Sequence, residues 1–347
     1  MEFFKRGARL TAGLVMLGLL AQPIIVQQVM AQSVMDQGNW DDVVAAAKAE
    51  GKVTLYSGQV GVSHLDAIMN AFTAKYRIPV QKLELRGSEL FERMRLEVAT
   101  GRPTADVSLA GGSATLEAMG VLQLHADIPN AAGLSEGFKG NEMRLPVFSQ
   151  GMGIVVSASV PKADRPTSWA DLANPKWQGK ILADDFRAVG GGSLFFAVTY
   201  EKLGVDYLLA LAKNKPVFSR EIREGPRRVA RGEYPVYAPF ILPDTLLNEG
   251  LPLEVIIPSE GVIYATFDLG LVKDAPHPNA ARLLINFLLS DEAQLIYASS
   301  GRRPTIAGLE DRYPKNVRRL LDVPLLGTQE DAVVRVEMMK RATAMHK

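Results

Sequence analysis

Four short glycine- and serine-rich loops carry the residues in this sequence that are best suited to bind an anion. The clearest lies within 179–204, where a buried strand, Ile181–Ala183, is followed by a polar loop, three glycines at 190–192, and Ser193 at the start of a helix. Backbone N–H groups at a helix start have no partner inside the helix, and the helix dipole is positive there, so they attract an anionic ligand. A flexible loop with a serine N-cap is the alternative interpretation.

The same arrangement occurs three more times near the start of the chain. Predicted strands at 53–56, 80–85 and 106–110 are each followed by a loop containing glycine and serine, and then by a helix. Strands that alternate with helices indicate right-handed βαβ units and a parallel sheet. In open α/β sheets, ligands bind beyond the carboxyl ends of the strands, so we expect these loops to line one cleft.

The predicted ligand-binding residues lie in these loops or in segments expected to face them. Serine hydroxyls and backbone amides supply donors, and the two arginines in the set can make forked contacts to carboxylate or phosphate oxygens. For each arginine a solvated salt bridge is the alternative, and for the phenylalanine it is a place in the core. Asp184 and Asp185 could orient Arg187 or bind an amine of a zwitterionic ligand. The predicted set is Ser57, Gly58, Gln59, Arg86, Ser88, Gly112, Ser113, Gln150, Arg187, Gly191, Gly192, Ser193 and Phe240.

Composition limits the possible function classes. The chain has 347 residues, a net charge of +1 and 47% hydrophobic residues, which suits a globular protein of about two domains. The balanced charge and the lack of a basic cluster interleaved with aromatics argue against nucleic-acid binding. No cysteine is present, which excludes disulfides, thiolate metal sites, cysteine nucleophiles and a lipid-modified cysteine anchor. We predict no cofactor.

Residues 1–31 have the pattern of a signal peptide. Lys5, Arg6 and Arg9 form a basic start, Leu10–Leu20 is apolar, and 29–31 ends in the small residue expected before a cleavage site. An uncleaved anchor is the alternative, but the apolar run is short for a membrane-spanning helix. We therefore predict cleavage near Ala31 and a periplasmic protein of a Gram-negative cell, without a membrane anchor after processing.

Several stretches together resemble the type II periplasmic solute-binding proteins of ABC importers, in the iron(III)-binding-like branch (extracellular solute-binding protein family 1). They are Val53–Gly58, Ala105–Val107, Trp169–Leu172, Pro175–Lys180, His277–Ala281, Phe287–Ser290 and Asp291–Gln294. The resemblance implies an α/β fold of two lobes, each a mostly parallel sheet flanked by helices, with two crossover strands as a hinge. It also implies a monomer that binds a small molecule between the lobes and delivers it to an ABC permease in the inner membrane.

The resemblance and the composition together predict where the lobes lie. We assign 39–147 and 265–310 to lobe 1 and 148–264 to lobe 2, with crossing segments at 147–156 and Val262–Val272. The segment 311–347 is predicted to be helical, with Thr328 beginning a capping box, and its lobe is left open.

The sequence departs from the ferric members of that family. They bind iron through adjacent tyrosines after a strand of the second lobe, often with a histidine and a carboxylate. Here the matching stretches are Tyr237–Leu242, with no tyrosine pair, and Ala110–Ser113, with no acid. A hard trivalent ion requires anionic oxygen ligands. His64, His125, His277 and His346 show no metal spacing, so we predict no metal site.

The leading prediction is therefore a binding protein for a small organic anion of the phosphonate, sugar phosphate or carboxylate type. A ferric-iron carrier that binds iron with a synergistic anion is the first alternative. An exported enzyme on the same fold is the second, although the chain has no G-x-S-x-G, H-E-x-x-H or phosphate-loop motif.

Overall fold

The computed structural model describes residues 40–346. The predicted signal peptide lies outside the described residues. No helix among residues 40–346 combines the length and the apolar character needed to cross a bilayer.

The first lobe is built from βαβ units, as its hydrophobic pattern predicts. Helix α1 (40–50) ends at Gly51, whose φ of 75° suits glycine. Strands β1, β2 and β3 pair in parallel with β1 in the centre, so their carboxyl ends face the same way. The elements that follow α1 are β1 (Val53–Ser57), α2 (Ser63–Tyr76), β2 (Val80–Glu84), α3 (Gly87–Ala99), β3 (Val107–Gly111), α4 (Ala114–Ala118) and β4 (Leu122–Gln123).

The second lobe repeats this design. Strands β8, β6 and β7 pair in parallel, again with the middle strand first in the chain. Its elements are β6 (Ile181–Asp184), α5 (Gly191–Leu203), α6 (Val205–Lys213), β7 (Val217–Ser219), α7 (Glu224–Ala230), β8 (Val236–Ile241) and β9 (Leu253–Ile256). A 3-10 segment, Leu242–Asn248, follows β8.

Two long strands join the lobes. Strand β5 (Arg144–Ser157) and strand β10 (Val262–Val272) pair antiparallel with each other, so one continuous sheet runs in the order β2-β1-β3-β10-β5-β8-β6-β7. The first half of β5 packs into one hydrophobic core through Leu145 and Phe148, and its second half packs into another through Ile154. The prediction of two α/β lobes with two crossover strands is confirmed.

The rest of the chain returns to the first lobe and then crosses to the second. Helices α8 (Pro278–Leu288) and α9 (Asp291–Ser299) cover the first core, and β11 (Arg303–Pro304) pairs with β5. Helix α10 (Arg318–Leu321) and strand β12 (Leu325–Gly327) follow. Helix α11 (Ala332–Met345) then packs on the second core through Met338 and Ala342.

One predicted helix cap is wrong. The N-cap of α11 is Asp331, whose Oδ1 accepts hydrogen bonds from the N–H groups of Val333 (2.7 Å) and Val334 (3.0 Å). Thr328 lies before the helix, and its Oγ1 donates to Glu330 at 3.0 Å. Asp331 is the N-cap because its carboxylate lies directly before the first helical turn, where two N–H groups have no partner within the helix.

Candidate ligand-binding cleft

The start of α5 already binds a carboxylate, and the chain itself supplies it. Asp184, at the end of β6, accepts a 2.7 Å hydrogen bond from the N–H of Gly192. A Cβ on Gly192 would lie 2.5 Å from the Asp184 carbonyl oxygen, so only glycine allows the helix to start this close to the strand. Burial raises the pKa of Asp184 to about 6, although the bond from Gly192 opposes the shift.

Ser193 caps this helix start from inside the protein. Its Oγ donates to the carbonyl of Gly190 (3.1 Å) and lies 3.3 Å from the N–H of Gly190. The residue has 0% of its surface exposed. The prediction of an anion at this helix rests partly on the N–H of Gly192 and the Ser193 hydroxyl. Both groups already form hydrogen bonds within the protein.

Arg187 is also paired internally. Its Nε donates to Asp185 Oδ1 at 2.8 Å, and its guanidinium lies 4.5 Å from the centroid of the Phe218 ring. Burial acts to raise the pKa of Asp185, but the bonds from Arg187 and Arg220 outweigh it and leave that pKa lowered. Of the two adjacent acids, Asp185 is the one that orients Arg187.

The serine side chains of the first-lobe loops form hydrogen bonds within their own turns. Ser57 Oγ accepts from the N–H of Gln59 (3.0 Å), and Ser113 Oγ donates to the carbonyl of Ala110 (2.8 Å). Both serines are fully buried. The N–H of Gly58 donates to the carbonyl of Leu109 at 2.8 Å, which ties the loop after β1 to β3. These contacts bring the two loops side by side, as the prediction of one shared cleft requires.

The remaining predicted residues differ in exposure. Arg86 and Ser88 are exposed at the start of α3, and Gln150 is half-buried in β5, where it pairs with Ala265 of β10. Phe240 is 1% exposed and lies in a hydrophobic cluster with Tyr237 and Leu242, which places it in the core.

A buried arginine that sequence pattern alone does not reveal lies beside this cleft. Arg302, just after α9, is 7% exposed, and no carboxylate lies within 4.0 Å of its guanidinium among the described residues. Its Nη1 donates to the carbonyl and the hydroxyl of Ser300 (3.2 Å each), and its Nε is buried without a partner. Burial lowers the pKa of Arg302 to about 10, and the charge of Asp244 opposes the shift.

Polar groups from both lobes interact electrostatically with this guanidinium, or, for Gln59, lie beside a group that does, and we call them the Arg302 cluster. Gln59, His64, Tyr297 and Arg302 belong to the first lobe, and Arg223 and Asp244 belong to the second. The backbones meet beside them: a Cβ on Gly301 would lie 3.3 Å from the Cα of Pro243.

Within the Arg302 cluster, burial and the charge of the guanidinium shift the pKa values of several groups. Burial, and then the charge of Arg302, lowers the pKa of His64 to about 3, so this histidine is neutral at neutral pH and lies 3.1 Å from Gln59 Oε1. The Tyr297 hydroxyl is buried without a partner. Burial raises the pKa of Asp244, while the charges of Arg302 and Arg223 oppose the shift. The cluster thus presents unused donors beside an unpaired positive charge.

A second arginine reaches the cleft from the C-terminal helix. Arg335 Nη2 donates to the carbonyl of Gly190 and to Ser193 Oγ, both at 3.3 Å. Its Nη1 lies 3.2 Å from the place where a Cβ on Gly112 would be. The guanidinium therefore contacts the loop after β3 of the first lobe and the start of α5 of the second.

The two lobes touch at two further points. Arg223 of the second lobe donates to the carbonyl of Val60, in the loop after β1, at 2.5 Å. Arg86 Nη2 of the first lobe lies 4.0 Å from Glu221 Oε2 of the second. With the contact of Arg335, these contacts describe lobes closed on each other.

The family of bacterial extracellular solute-binding proteins matches residues 53–303, which span both lobes and both crossover strands. The chain belongs to this family. Its members bind a small solute and pass it to the permease of an importer.

Known relatives support the same fold. Iron uptake protein A1 of Synechocystis is 27% identical over 270 residues, covering 69% of this chain and 71% of that protein. The substrate-binding protein of an ABC transporter from Agrobacterium tumefaciens superposes with a TM-score of 0.73 at 16% identity, covering 85% of this chain and 94% of that one. A Trichodesmium protein solved with iron and citrate superposes with a TM-score of 0.66 at 20% identity, covering 85% and 98%.

Histidine and acidic side chains are among those that can bind a metal ion. Across residues 40–346, no three histidine or acidic side chains come together closely enough to hold a metal. His277 bonds Asp106 at 3.0 Å, and both nitrogens of His125 lie near backbone carbonyls. The groups beside the cleft are guanidinium, hydroxyl and amide donors, together with the carboxylates of Asp184, Asp185 and Asp244.

Proposed function

We propose that this solute-binding protein captures a small organic anion between its lobes, in the periplasm, and delivers it to an ABC permease. The ligand class is that of phosphonates, sugar phosphates and carboxylates. The observation that carries this proposal is the guanidinium of Arg302, which is 7% exposed and lacks an ion pair among the described residues.

The buried guanidinium of Arg302 lacks a negatively charged partner within 4.0 Å among the described residues. A buried charge is costly unless it is paired and hydrogen-bonded. Arg302 has two hydrogen bonds to Ser300 and an unused Nε–H, so an oxyanion beside it would supply both the counter-charge and an acceptor. The Tyr297 hydroxyl offers one more donor to the same ligand.

Closure of the lobes follows from the same arrangement. Arg223 comes from the second lobe, so it reaches the loop after β1 and the surroundings of Arg302 only when the lobes are together. An anion that contacts both Arg302 and Arg223 binds the closed form better than the open form. Such a difference in affinity is what allows a ligand to shift a two-state equilibrium.

Ferric iron bound together with a chelating anion is the second candidate. Two of the relatives described above favour it: one is named an iron uptake protein, and another was solved with iron and citrate. The described side chains offer no set of three acidic or histidine ligands, so the anion would have to provide most of the oxygen atoms around the ion.

A thermal-shift panel separates these candidates. The panel contains inorganic phosphate, glycerol 3-phosphate, glucose 6-phosphate, citrate, ferric citrate and ferric chloride. A ligand at a hundred times its Kd adds about 2.7 kcal/mol of stability by mass action. A shift by metal-free anions supports the first proposal, and a shift by ferric citrate but not by citrate supports the second. Stabilisation by ferric chloride alone would overturn both, because it would require a protein-ligated ion.

A further inference from the structure

We propose that Arg335 is a positioning residue that joins the two lobes, so that the C-terminal helix α11 acts as part of the closing machinery. The inference rests on the proposed function in one respect only, in taking closure of the lobes as the step that captures the ligand.

Helix α11 is fixed to the second lobe. Met338 and Ala342 are buried in the same hydrophobic core as Phe195 of α5. Farther along the helix, Arg341 Nη1 donates to the Tyr200 hydroxyl at 3.2 Å. Arg335 therefore moves with the second lobe when the lobes separate, and keeps its bonds to Gly190 and Ser193.

The first lobe approaches Arg335 at Gly112. Gly112 has a φ of +74°, and a Cβ there would lie 3.2 Å from Arg335 Nη1. The absence of a side chain is what lets the loop after β3 approach the guanidinium. Separation of the lobes removes this contact and exposes the guanidinium on that side.

Arginine suits this position better than lysine. Its guanidinium carries five donors in a fixed planar fork, so it can hold Gly190 and Ser193 through one nitrogen while the other faces the opposite lobe. No carboxylate lies within 4.0 Å of Arg335 in the described part of the chain. The hydrogen bonds to α5, rather than an ion pair, hold the guanidinium in place.

Distance measurements on the ligand-free protein test this proposal. The sequence has no cysteine, so Lys48→Cys in α1 and Lys213→Cys in α6, both exposed, give one spin-label pair across the lobes. Pulsed electron paramagnetic resonance should then find a short-distance, closed population. In Arg335→Ala the ratio of closed to open protein should fall about twofold, because the closed form loses the van der Waals contact between the guanidinium and Gly112 of the first lobe. Arg335→Lys should recover only part of it.

Two glycines provide a matched control. Gly112 and Gly120 both have positive φ, of +74° and +67°, but a Cβ would have a neighbour within 4 Å at Gly112 and none at Gly120. Alanine is disfavoured at both positions because both have a positive φ. Gly112→Ala should reduce the closed population as Arg335→Ala does, Gly120→Ala should not, and Gly112→Ala should add little in the Arg335→Ala background.

These measurements test the role of Arg335 and do not require that the ligand be identified. A ligand-free protein with no closed population, an Arg335→Ala variant with an unchanged distance distribution, or equal effects at Gly112 and Gly120 would each overturn the proposal. An unfolding midpoint of Arg335→Ala near that of wild type shows that α11 stays docked through Met338 and Ala342. The thermal-shift panel tests the ligand class separately. A failure of the proposed ligand class would therefore not contradict the role proposed for Arg335.

Discussion

The carboxylate of Asp184 accepts a 2.7 Å hydrogen bond from the backbone N–H of Gly192, so an anion supplied by the chain occupies the first turn of α5. This carboxylate lies at the end of β6 and is 8% exposed. The bond fixes the helix start against the strand, and it also gives the protein a titratable group in its interior.

Asp184→Asn should therefore change how stability depends on pH. The pKa of Asp184 is about 6 in the folded protein against 3.8 for a free side chain, so between these pH values only the unfolded chain has released the proton. Asp184 thus contributes stability that is present below about pH 4 and is lost as the pH rises through about 6. Urea unfolding at about pH 4 and pH 6.5 should show the advantage of wild type over the variant falling by on the order of 2–3 kcal/mol.

The exposed Asp127 offers a control for this change. Asp127→Asn should follow wild type at both pH values. A difference between wild type and Asp184→Asn that is the same at both pH values would contradict the raised pKa.

The sequence predicts the lobes well because their cores follow local periodicity. In α2, Leu65, Ile68, Met69 and Phe72 recur at helical spacing, and all four are buried. The apolar run Val262–Val272 predicts a crossing strand, and the strand has those bounds. A similar pattern predicts that Gly112 and Ser113 lie in a loop after a strand, and the structure has that loop.

The cleft chemistry is harder to predict because it depends on pairs far apart in the chain. Nothing near Arg302 in sequence shows that it is buried without an ion pair, since this depends on groups around His64 and Asp244. Arg335 lies 142 residues from Ser193, which it contacts. The sequence predicts Arg187 as a ligand residue, but the carboxylate two positions before it binds its guanidinium.

Gly225→Ala should destabilise the second lobe. A Cβ on Gly225 of α7 would lie 2.7 Å from the ring of Tyr237 in β8, and that ring is 2% exposed and cannot easily move. We expect a loss of about 1–3 kcal/mol in unfolding free energy, the usual cost of overpacking. Gly87→Ala is the control, since its Cβ would meet no atom within 4 Å, and it should be near neutral. Equal losses would show that the contact with Tyr237 is not the cause.

Ser193→Ala should lower stability by about 1 kcal/mol, the typical contribution of a side-chain cap at a helix start. The change removes both hydrogen bonds between Ser193 Oγ and the backbone of Gly190, together with the bond that Ser193 Oγ accepts from Arg335. Ser88→Ala, at an exposed helix start with no hydrogen bond from the side chain in the described structure, should have little effect. Chemical denaturation gives the unfolding midpoints of the two variants for comparison. An unchanged midpoint for Ser193→Ala would show that the Ser193 cap does not contribute to stability.

Arg302→Met should leave the stability of the ligand-free protein within about 1 kcal/mol of wild type. Removing a buried, unpaired charge relieves its desolvation, and this offsets the loss of the bonds to Ser300. Arg102→Met, at an exposed position, is the control. A loss of several kcal/mol in chemical denaturation would show that Arg302 has a structural partner in the protein and is not held for a ligand.

Calorimetric titration of the tightest anion from the thermal-shift panel into wild type, Arg302→Met and Arg102→Met is the most direct test of the central claim. We predict that Arg102→Met binds like wild type and that Arg302→Met binds at least about thirtyfold more weakly, the cost of losing a buried charge-assisted contact. Equal affinity of wild type and Arg302→Met for that anion would contradict the account.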